Sequence, residues 1–377
     1  MLTAATAAQA AVSFVNFGLP AIGPQLRHEF GLGLPALGAV LTAGFFGTAL
    51  SLFAAGIAVD RFGSRAAMAG GTAVGAAGLF AGAIAGSPAA LGAALVVFGV
   101  GSSVVTIGGA GALFRAYPPE RRGWALGVRQ MAVPLGGMIG AVLVPALEAV
   151  GGVSTVLLAA ATAVLVSGAA FAVVADSLRS GRQPRGFRTI LKAPGMQRLL
   201  VVAAFYIIVL QAVLVYTVPS ARAAGLSALA AGTTFFAIQI AAGVARIVWG
   251  RIADGSGGAR RARTLSEAGV VAAVGAILFM VALHAGVAVA LPAAVIFGFG
   301  ALGWNGLVYV IAGERTPPEL AARSVAVAAT LIFGLSAVAT PALGALAHGA
   351  GWDAFWLATA ALALGGAGIA ATLGDRY

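Results

Sequence analysis

Long apolar runs without charge are the feature that most constrains this chain. Charged residues make up 9% of its 377 residues, hydrophobic types make up 60%, and 55 residues are glycine. A globular chain is about 25% charged, because a water-soluble protein needs a polar surface. The composition therefore excludes soluble globular, disordered and coiled-coil folds, and it predicts a membrane protein.

The apolar runs are long enough to cross a bilayer as helices, since one crossing needs about 20 apolar residues. Charges, prolines and glycines divide the chain into twelve such runs, and the division between spans 9 and 10 is marked only by His284 and Gly286. The predicted spans are 2–23, 34–55, 66–85, 89–114, 123–147, 153–175, 198–220, 228–250, 266–284, 286–312, 324–347 and 353–373.

The basic residues predict the orientation of these spans. Eighteen of the 22 Lys+Arg residues lie between even- and odd-numbered spans or at the C-terminus, and only Arg27 and Arg222 lie on the opposite side. Basic residues accumulate in cytoplasmic loops. We therefore expect both termini in the cytoplasm, with the chain in the inner membrane of a bacterial cell. The net charge of +11 then reports orientation, and we expect no nucleic-acid partner.

The two halves of the sequence repeat. Phe98-Gly-Val-Gly recurs as Phe297-Gly-Phe-Gly at an offset of 199, and Gly31-Leu32 recurs as Gly225-Leu226 at an offset of 194. A basic segment broken by glycine and proline separates six spans from six. The predicted organisation is an N-terminal six-helix bundle at 1–175, a cytoplasmic linker at 176–197 and a C-terminal six-helix bundle at 198–377. Duplicated halves are typical of secondary transporters.

The loop predicted after span 2 carries the strongest local motif. Its residues are Gly56, Asp60, Arg61, Gly63 and Arg65, and a partial second copy after span 8 keeps Gly250 and Asp254. This pattern resembles the signature loop of the major facilitator superfamily. The resemblance implies an all-α polytopic membrane protein with twelve transmembrane helices in two pseudo-symmetric six-helix bundles. It also implies that these seven residues take part in the conformational switch.

Two arginines lie inside predicted spans, Arg129 in span 5 and Arg246 in span 8. An ionisable residue within the membrane is costly and is a functional candidate by default. In the superfamily fold, helices 5 and 8 face each other, so the resemblance implies that both guanidinium groups could attract one anion. The alternatives are that either side chain reaches the inner surface or has a structural partner.

The neighbours of these arginines resemble two groups within the superfamily. The segment from Arg246 to Gly250 is similar to span 8 of monocarboxylate transporters and oxalate–formate exchangers, in which the arginine binds a carboxylate. The segment from Arg129 to Pro134 is similar to cyanate- and nitrate-type porters. Ala242 stands where monocarboxylate carriers usually have an aspartate. Coupling to a proton, uniport and exchange therefore all stay open.

The family fold implies that helices 1, 4, 7 and 10 line the central cavity. Polar or aromatic candidates at middle depth in these spans are Asn16, Thr106, Tyr206, Gln211, Tyr216, Trp304 and Asn305, and Gln130 and Gln239 accompany the two arginines. Each of these side chains could instead hydrogen-bond between helices. The glycines of spans 4, 5 and 10 are predicted to permit close packing.

The sequence lacks the residues and motifs of common catalytic and metal-binding sites. It has no cysteine, its three histidines have no metal-ligand spacing, and no nucleotide loop or catalytic triad is present. We therefore expect no enzyme, cofactor or metal. No carboxylate lies at middle depth in a span, which disfavours proton-coupled efflux of cationic drugs.

The sequence predicts a monomeric secondary active or facilitated transporter for a small anion, in particular a carboxylate, working by rocker-switch alternating access. Its partners would be the lipid bilayer, the small-molecule anion and a coupling proton in the symport case. One alternative is an efflux pump for a neutral or amphiphilic drug or metabolite. Another is a receptor or assembly factor that uses the same fold without transport.

Overall fold

The computed structural model describes residues 1–117, 125, 128–175, 187–254, 260–316 and 318–374. Within these ranges the chain is almost entirely α-helical and contains no strand. A 3-10 turn at Leu19–Ile22 joins the first two helices. The helices are α1 (Leu2–Gly18), α2 (Gly23–Phe30), α3 (Leu34–Ala83), α4 (Pro88–Ala116), α5 (Ala132–Val174), α6 (Phe187–Lys192), α7 (Met196–Ala223), α8 (Ala228–Asp254), α9 (Arg261–Ala285), α10 (Val287–Leu302), α11 (Asn305–Glu314) and α12 (Pro318–Ala371).

Ten segments of the described chain are long and apolar enough to cross a membrane. Two of them, Val128–Val174 and Ser324–Ala371, have 47 and 48 residues, about twice the length that one crossing needs. The first is interrupted at Gly151 and Gly152 and the second at Gly351, where φ is 68° at Gly152 and 82° at Gly351. Glycine is the residue that adopts such angles without strain, so the chain turns at these points.

The structure corrects the predicted loop between spans 2 and 3. The sequence predicts a loop at 56–65, but these residues are helical except at Gly63, where φ is 80°. The charged residues of the motif suggested a loop, because charges are unfavourable inside a membrane. Charged residues at the end of a membrane helix can remain helical in water, so α3 continues to the glycine that turns the chain.

Two further boundaries differ from the prediction. Span 10 is interrupted, because α10 ends at Leu302 and α11 begins at Asn305. The predicted linker contains the short helix α6 at Phe187–Lys192, and its residues 176–186 lie outside the described part of the chain. The turn predicted between spans 9 and 10 is confirmed, since Gly286 adopts a φ of 95° between α9 and α10.

The chain divides into two compact units, which we call unit 1 (Met1–Gln183) and unit 2 (Pro184–Tyr377). In unit 1, α1 packs against α5, and α3 packs against both α4 and α5. In unit 2, α7 packs against α12, α8 against α10, and α9 against α10 and α12. Apolar residues along these contacts form the core of each unit.

Glycines at matching positions of the two halves allow helices to cross closely. A Cβ atom on Gly101 of α4 would lie 2.3 Å from the carbonyl oxygen of Gly71, and one on Gly300 of α10 would lie 2.2 Å from the backbone nitrogen of Ala272. Any larger residue would push these helices apart, whereas small residues let helix backbones approach closely. The prediction that the glycines of spans 4 and 10 permit close packing is confirmed.

The sequence repeat also produces matching turns after α2 and α7. Gly31 and Gly225 have φ values of 61° and 90°. The following residues, Leu32 and Leu226, each donate their backbone N–H to the carbonyl oxygen five residues earlier, at 3.0 and 3.1 Å. This left-handed glycine cap closes a helix by satisfying a terminal carbonyl. The repeated Gly-Leu pair therefore marks the same local structure in both units.

Candidate functional site

Arg129 lies in a helical turn at 128–130 that leads into α5, and its side chain is directed into unit 1, where the residue is only 4% exposed. Its Nη2 atom donates to the Oε1 atom of Gln9 at 2.7 Å. The same nitrogen donates to the carbonyl oxygens of Val105 at 3.0 Å and Thr106 at 3.1 Å. One guanidinium group therefore bridges α1 and α4.

A glycine gives this guanidinium access to the backbone of α4. A Cβ atom on Gly109 would lie 3.0 Å from Nε and 3.1 Å from Nη2 of Arg129. Gly109 lies one helical turn after Val105, directly beside the carbonyl groups that accept the hydrogen bonds. The bare helix surface at this position therefore provides the space that the arginine occupies.

The charge of Arg129 is surrounded by neutral groups. Among the described residues, its Nη2 atom donates to one side-chain amide and two backbone carbonyls, and its Nε atom is buried without a hydrogen-bond partner. Within the described residues, no carboxylate oxygen lies within 4 Å of it. Buried charges in proteins are normally paired with an opposite charge. In the part of the chain that the structure describes, only the dipoles of neutral groups compensate this charge.

Polar side chains form a stripe along α1 beside this arginine. Gln9, Ser13 and Asn16 are spaced at i, i+4 and i+7, which places them on one face of the helix. Ser13 is buried and its Oγ atom has no hydrogen-bond partner, whereas Asn16 is half-buried with its Oδ1 atom beside Gly44. Sequence reasoning selected Asn16 and missed Gln9 and Ser13. Their helical spacing from Asn16 was the available signal.

The other candidates near Arg129 contribute differently. Thr106 meets Arg129 through its backbone oxygen, while its hydroxyl group donates to the carbonyl of Ser102 at 3.1 Å. Gln130 is half-buried next to Arg129. The structure therefore brings Thr106 to the arginine through its main chain.

Arg246 lies on α8 in unit 2 and is half-buried. Its Nε atom donates to the carbonyl oxygen of Leu302, the last residue of α10, across a long distance of 3.5 Å. The guanidinium group also interacts electrostatically with Tyr309 on α11. Arg246 is therefore placed at the interruption between α10 and α11.

Side-chain donors satisfy the carbonyl groups that this interruption releases. Helix ends leave their last carbonyls without helical partners. The Nε1 atom of Trp249 donates to the carbonyl of Phe299 at 3.0 Å, and that of Trp304 donates to the carbonyl of Ala301 at 2.9 Å. Broken helices in membranes are tolerated where such partners exist. Trp249, missed by the sequence reasoning, lies three residues after Arg246 on the same face of α8.

The aromatic candidates of α7 form contacts between helices. The hydroxyl group of Tyr206 donates to the carbonyl of Leu265 at 2.8 Å, and its ring packs edge-on against Trp304 with centroids 5.6 Å apart. Tyr216 donates to the carbonyl of Thr340 at 2.7 Å. These hydrogen bonds connect α7 to α9 and α12.

Three buried or half-buried amides complete the candidates of unit 2. Gln211 donates from Nε2 to the hydroxyl of Thr340 at 3.1 Å, and its Oε1 atom has no hydrogen-bond partner. Asn305 begins α11, and its Oδ1 atom is also buried without a partner. Gln239 is buried on α8, two turns before Arg246.

The motif residues of unit 1 lie around the turn at Gly63. Arg65 donates from Nε to the carbonyl of Ala175 at 3.1 Å and from Nη2 to that of Val173 at 3.4 Å, so it caps the end of α5. The Arg61 guanidinium lies 5.4 Å from the centre of the Phe62 ring. Arg65 thus joins two helices of the same unit.

The described part of the structure shows no side-chain contact at the other motif positions. The side chains of Asp60 and Asp254 lie outside the described part of the structure. A Cβ atom on Gly56 or Gly250 would meet no described atom within 4 Å. No described helix therefore packs closely against either glycine.

These features define a class of protein, a helical chain with several membrane-spanning segments and with a buried or half-buried arginine in each of its two units. The family model described as Major Facilitator Superfamily matches residues 5–341. The chain belongs to this superfamily of membrane transporters.

Relatives of known sequence agree with this assignment. Two MFS-type transporters from two strains of Mycobacterium tuberculosis, both described as uncharacterized, are each 30% identical to the chain over 169 residues. The match covers 45% of this chain and 38% of each relative, so it spans less than half of their length.

Solved structures show the same fold. A bacterial homolog of the human lysosomal transporter Spinster, inward-facing and occupied, has a TM-score of 0.79 at 14% identity, covering 99% of this chain and 96% of its own. A D-xylose-proton symporter has a TM-score of 0.79 at 13% identity, covering 98% and 96%. A peptide transporter in complex with sulfate has a TM-score of 0.79 at 15% identity, covering 100% and 96%. Identities this low establish the fold alone.

Proposed function

We propose that this chain is a secondary active or facilitated transporter that moves a small anion, in particular a carboxylate, by rocker-switch alternating access. The observation that carries the proposal is Arg129. It is a buried cation whose Nη2 partners are neutral and whose Nε atom has no partner. Such a group is costly in a membrane unless an opposite charge reaches it.

The chemistry of the guanidinium group favours a carboxylate or a similar planar anion. Its planar fork presents parallel N–H donors that match the two oxygens of a carboxylate, and such charge-assisted pairs are stronger than hydrogen bonds between neutral groups. An anion at Arg129 would relieve the uncompensated charge while it is bound. Arg246 in unit 2 supplies the second cation of the proposal.

The proposed topology has twelve crossings with both termini in the cytoplasm. Ten segments are able to span a membrane, and each of the two double-length segments turns at a glycine near its middle, which accounts for two additional crossings. We propose six-helix bundles at 1–175 and 198–377, joined by the linker, that alternate access by a rocker-switch motion. The proposal includes a monomer in the bacterial inner membrane, acting on a small molecule with or without a coupling proton and catalysing no reaction.

One observation favours a second candidate, efflux of a neutral or amphiphilic compound. Arg129 and Arg246 both donate to backbone carbonyls, as arginines with a purely structural role would. In that case neither charge would matter for transport. The two candidates therefore differ in the effect of removing the charges.

A binding and flux experiment tests the proposal. The purified protein would be heated with formate, acetate, lactate, oxalate or nitrate, and a ligand at 100 times its Kd adds about 2.7 kcal/mol of stability. The stabilising anion would then be followed into proteoliposomes. We expect Arg129→Met and Arg246→Met to lower uptake at least about 100-fold, because each removes a cation that attracts the anion. A 100-fold effect corresponds to a loss of roughly 3 kcal/mol of binding free energy.

Arg198→Met is the matched control, because Arg198 is exposed and also donates to a backbone carbonyl, that of Thr372 at 3.1 Å. Its uptake should equal that of the wild type. Unchanged uptake in both arginine variants would contradict the role of the two arginines. The absence of stabilisation and uptake for every anion would contradict the anion proposal and favour efflux of a neutral compound. Binding without flux in sealed vesicles would contradict transport and indicate a receptor.

A further inference from the structure

Within the described part of the chain, Gln9 is the one side chain that hydrogen-bonds to Arg129, and it is neutral. We propose that Gln9 sets the charge selectivity of the transporter, because it gives Arg129 a hydrogen-bond acceptor without giving it a negative charge. This inference rests on the proposed function. It assigns to Gln9 a role in selecting an anion over a neutral molecule of the same shape.

The geometry of the contact fixes the orientation of the amide. An arginine only donates hydrogen bonds, so the amide atom that faces it must be the oxygen. The distance of 2.7 Å between Nη2 and Oε1 is typical of a charge-assisted hydrogen bond. Gln9 is 8% exposed and Arg129 is 4% exposed, so little water screens the contact. The amide therefore holds the guanidinium in place and leaves its full charge available.

A glutamate at position 9 would have the same shape and the opposite effect. Its carboxylate would occupy the place of the amide oxygen and form a buried ion pair with Arg129. Two unit charges at such a distance attract each other strongly in a medium of low dielectric constant. The pair would be electrically neutral, and an anionic ligand would gain nothing from it. The sequence of α1 contains no aspartate or glutamate at any position, so nothing on that helix cancels the charge.

The neighbouring position on α1 provides a second donor for a ligand. Ser13 lies one turn after Gln9 on the same face, about 6 Å further along the helix axis. Its hydroxyl group is buried and has no hydrogen-bond partner. A carboxylate could accept from such a hydroxyl as well as from the guanidinium. The polar stripe therefore consists of neutral groups that can donate to an anion.

The test compares Gln9→Glu with Gln9→Met in the full-length protein. The probes are formate, oxalate and nitrate, and the readout is the Kd from anion-dependent thermal stabilisation at constant ionic strength. We expect Gln9→Glu to weaken binding at least about 30-fold, since the new carboxylate neutralises Arg129. We expect Gln9→Met to weaken binding several-fold less than Gln9→Glu does, because one hydrogen bond to Arg129 is lost but its charge and the two carbonyl acceptors of α4 remain.

Gln197→Glu is the matched control, because it adds the same charge at an exposed position of α7. It should bind like the wild type. Equal anion binding by Gln9→Glu and the wild type would overturn the role of Gln9 while leaving the proposed function intact. A loss of binding in Gln9→Met as large as that in Gln9→Glu would also overturn it, because the loss would then come from the missing amide and not from the added charge. If no probe stabilises the wild type, the proposed function and this inference fall together.

Discussion

Arg129 of unit 1 and Arg246 of unit 2 carry the same chemical group, but Arg129 contacts a continuous helix and Arg246 contacts the end of an interrupted helix. Arg129 contacts α4, which is continuous from Pro88 to Ala116, so its acceptor carbonyls already take part in helical hydrogen bonds. Arg246 contacts the carbonyl of Leu302, the last residue of α10, at 3.5 Å. The last carbonyls of a helix have no partner within that helix. Arg246 therefore replaces a missing hydrogen bond, whereas Arg129 adds one that α4 does not need.

This difference teaches that two arginines with the same proposed role toward an anion can differ in what they contribute to the ligand-free protein, since one also caps a broken helix and the other does not. The cap contributes to stability whether or not a ligand is present. The available charge costs stability until an opposite charge arrives. Removing each arginine should therefore change the stability of the ligand-free protein in different directions.

The largest expected effect separates the two arginines. Arg246→Met should lower the free energy of unfolding by about 1–3 kcal/mol, the cost of leaving a buried carbonyl unsatisfied. Arg129→Met should leave it unchanged or raise it, because an uncompensated buried charge is replaced by an apolar side chain of similar length. Thermal unfolding in one detergent without added anions measures both. Equal destabilisation by the two changes would contradict the comparison.

A smaller effect is expected at Trp249, the other donor from α8 to the interrupted helix. Trp249→Phe should cost about 1 kcal/mol, since it keeps an aromatic ring against Phe299 but removes the hydrogen bond from Nε1. Trp356→Phe is the matched control, because the Nε1 atom of Trp356 is buried without a hydrogen-bond partner. A cost no greater than that of the control would show that this hydrogen bond does not stabilise the break.

The smallest effect tests a place where the two units are alike. Arg27 donates to the carbonyl of Leu32 at 3.1 Å, and Arg222 donates to that of Leu226 at 2.6 Å, each beside a repeated glycine cap. Arg27→Ala and Arg222→Ala should each lower the free energy of unfolding by at most about 0.5 kcal/mol, because both contacts are accessible to water. Clearly unequal costs would show that the repeated turns differ in energy.

Much of the fold could be predicted from the sequence because the membrane imposes a simple rule on composition. Long apolar runs become helices, and glycines such as Gly286 mark turns. The interruption near Gly303 could not be predicted, since it lies inside an apolar run and resembles a packing glycine. It depends on donors from α8, and those become neighbours only in the folded chain.

The candidate site was predictable in part for the same reason. Arg129 and Arg246 stand out because charge is rare inside apolar spans. Gln9 is 120 residues from Arg129 in the sequence, so no local pattern connects them. Tyr206 and Gln211 were chosen for their polarity and depth, and both donate to neighbouring helices. Polarity alone does not distinguish a ligand contact from a contact between helices.

The absence of a side chain at Gly109 makes the residue choices at positions 109 and 129 depend on each other. A side chain at this position would occupy the space of the guanidinium group, since even its first carbon would lie 3.0 Å from Arg129 Nε. An arginine at 129 in this arrangement and a bulky residue at 109 therefore exclude each other. Among descendants of this chain, the two positions should covary, with glycine retained wherever the arginine is retained.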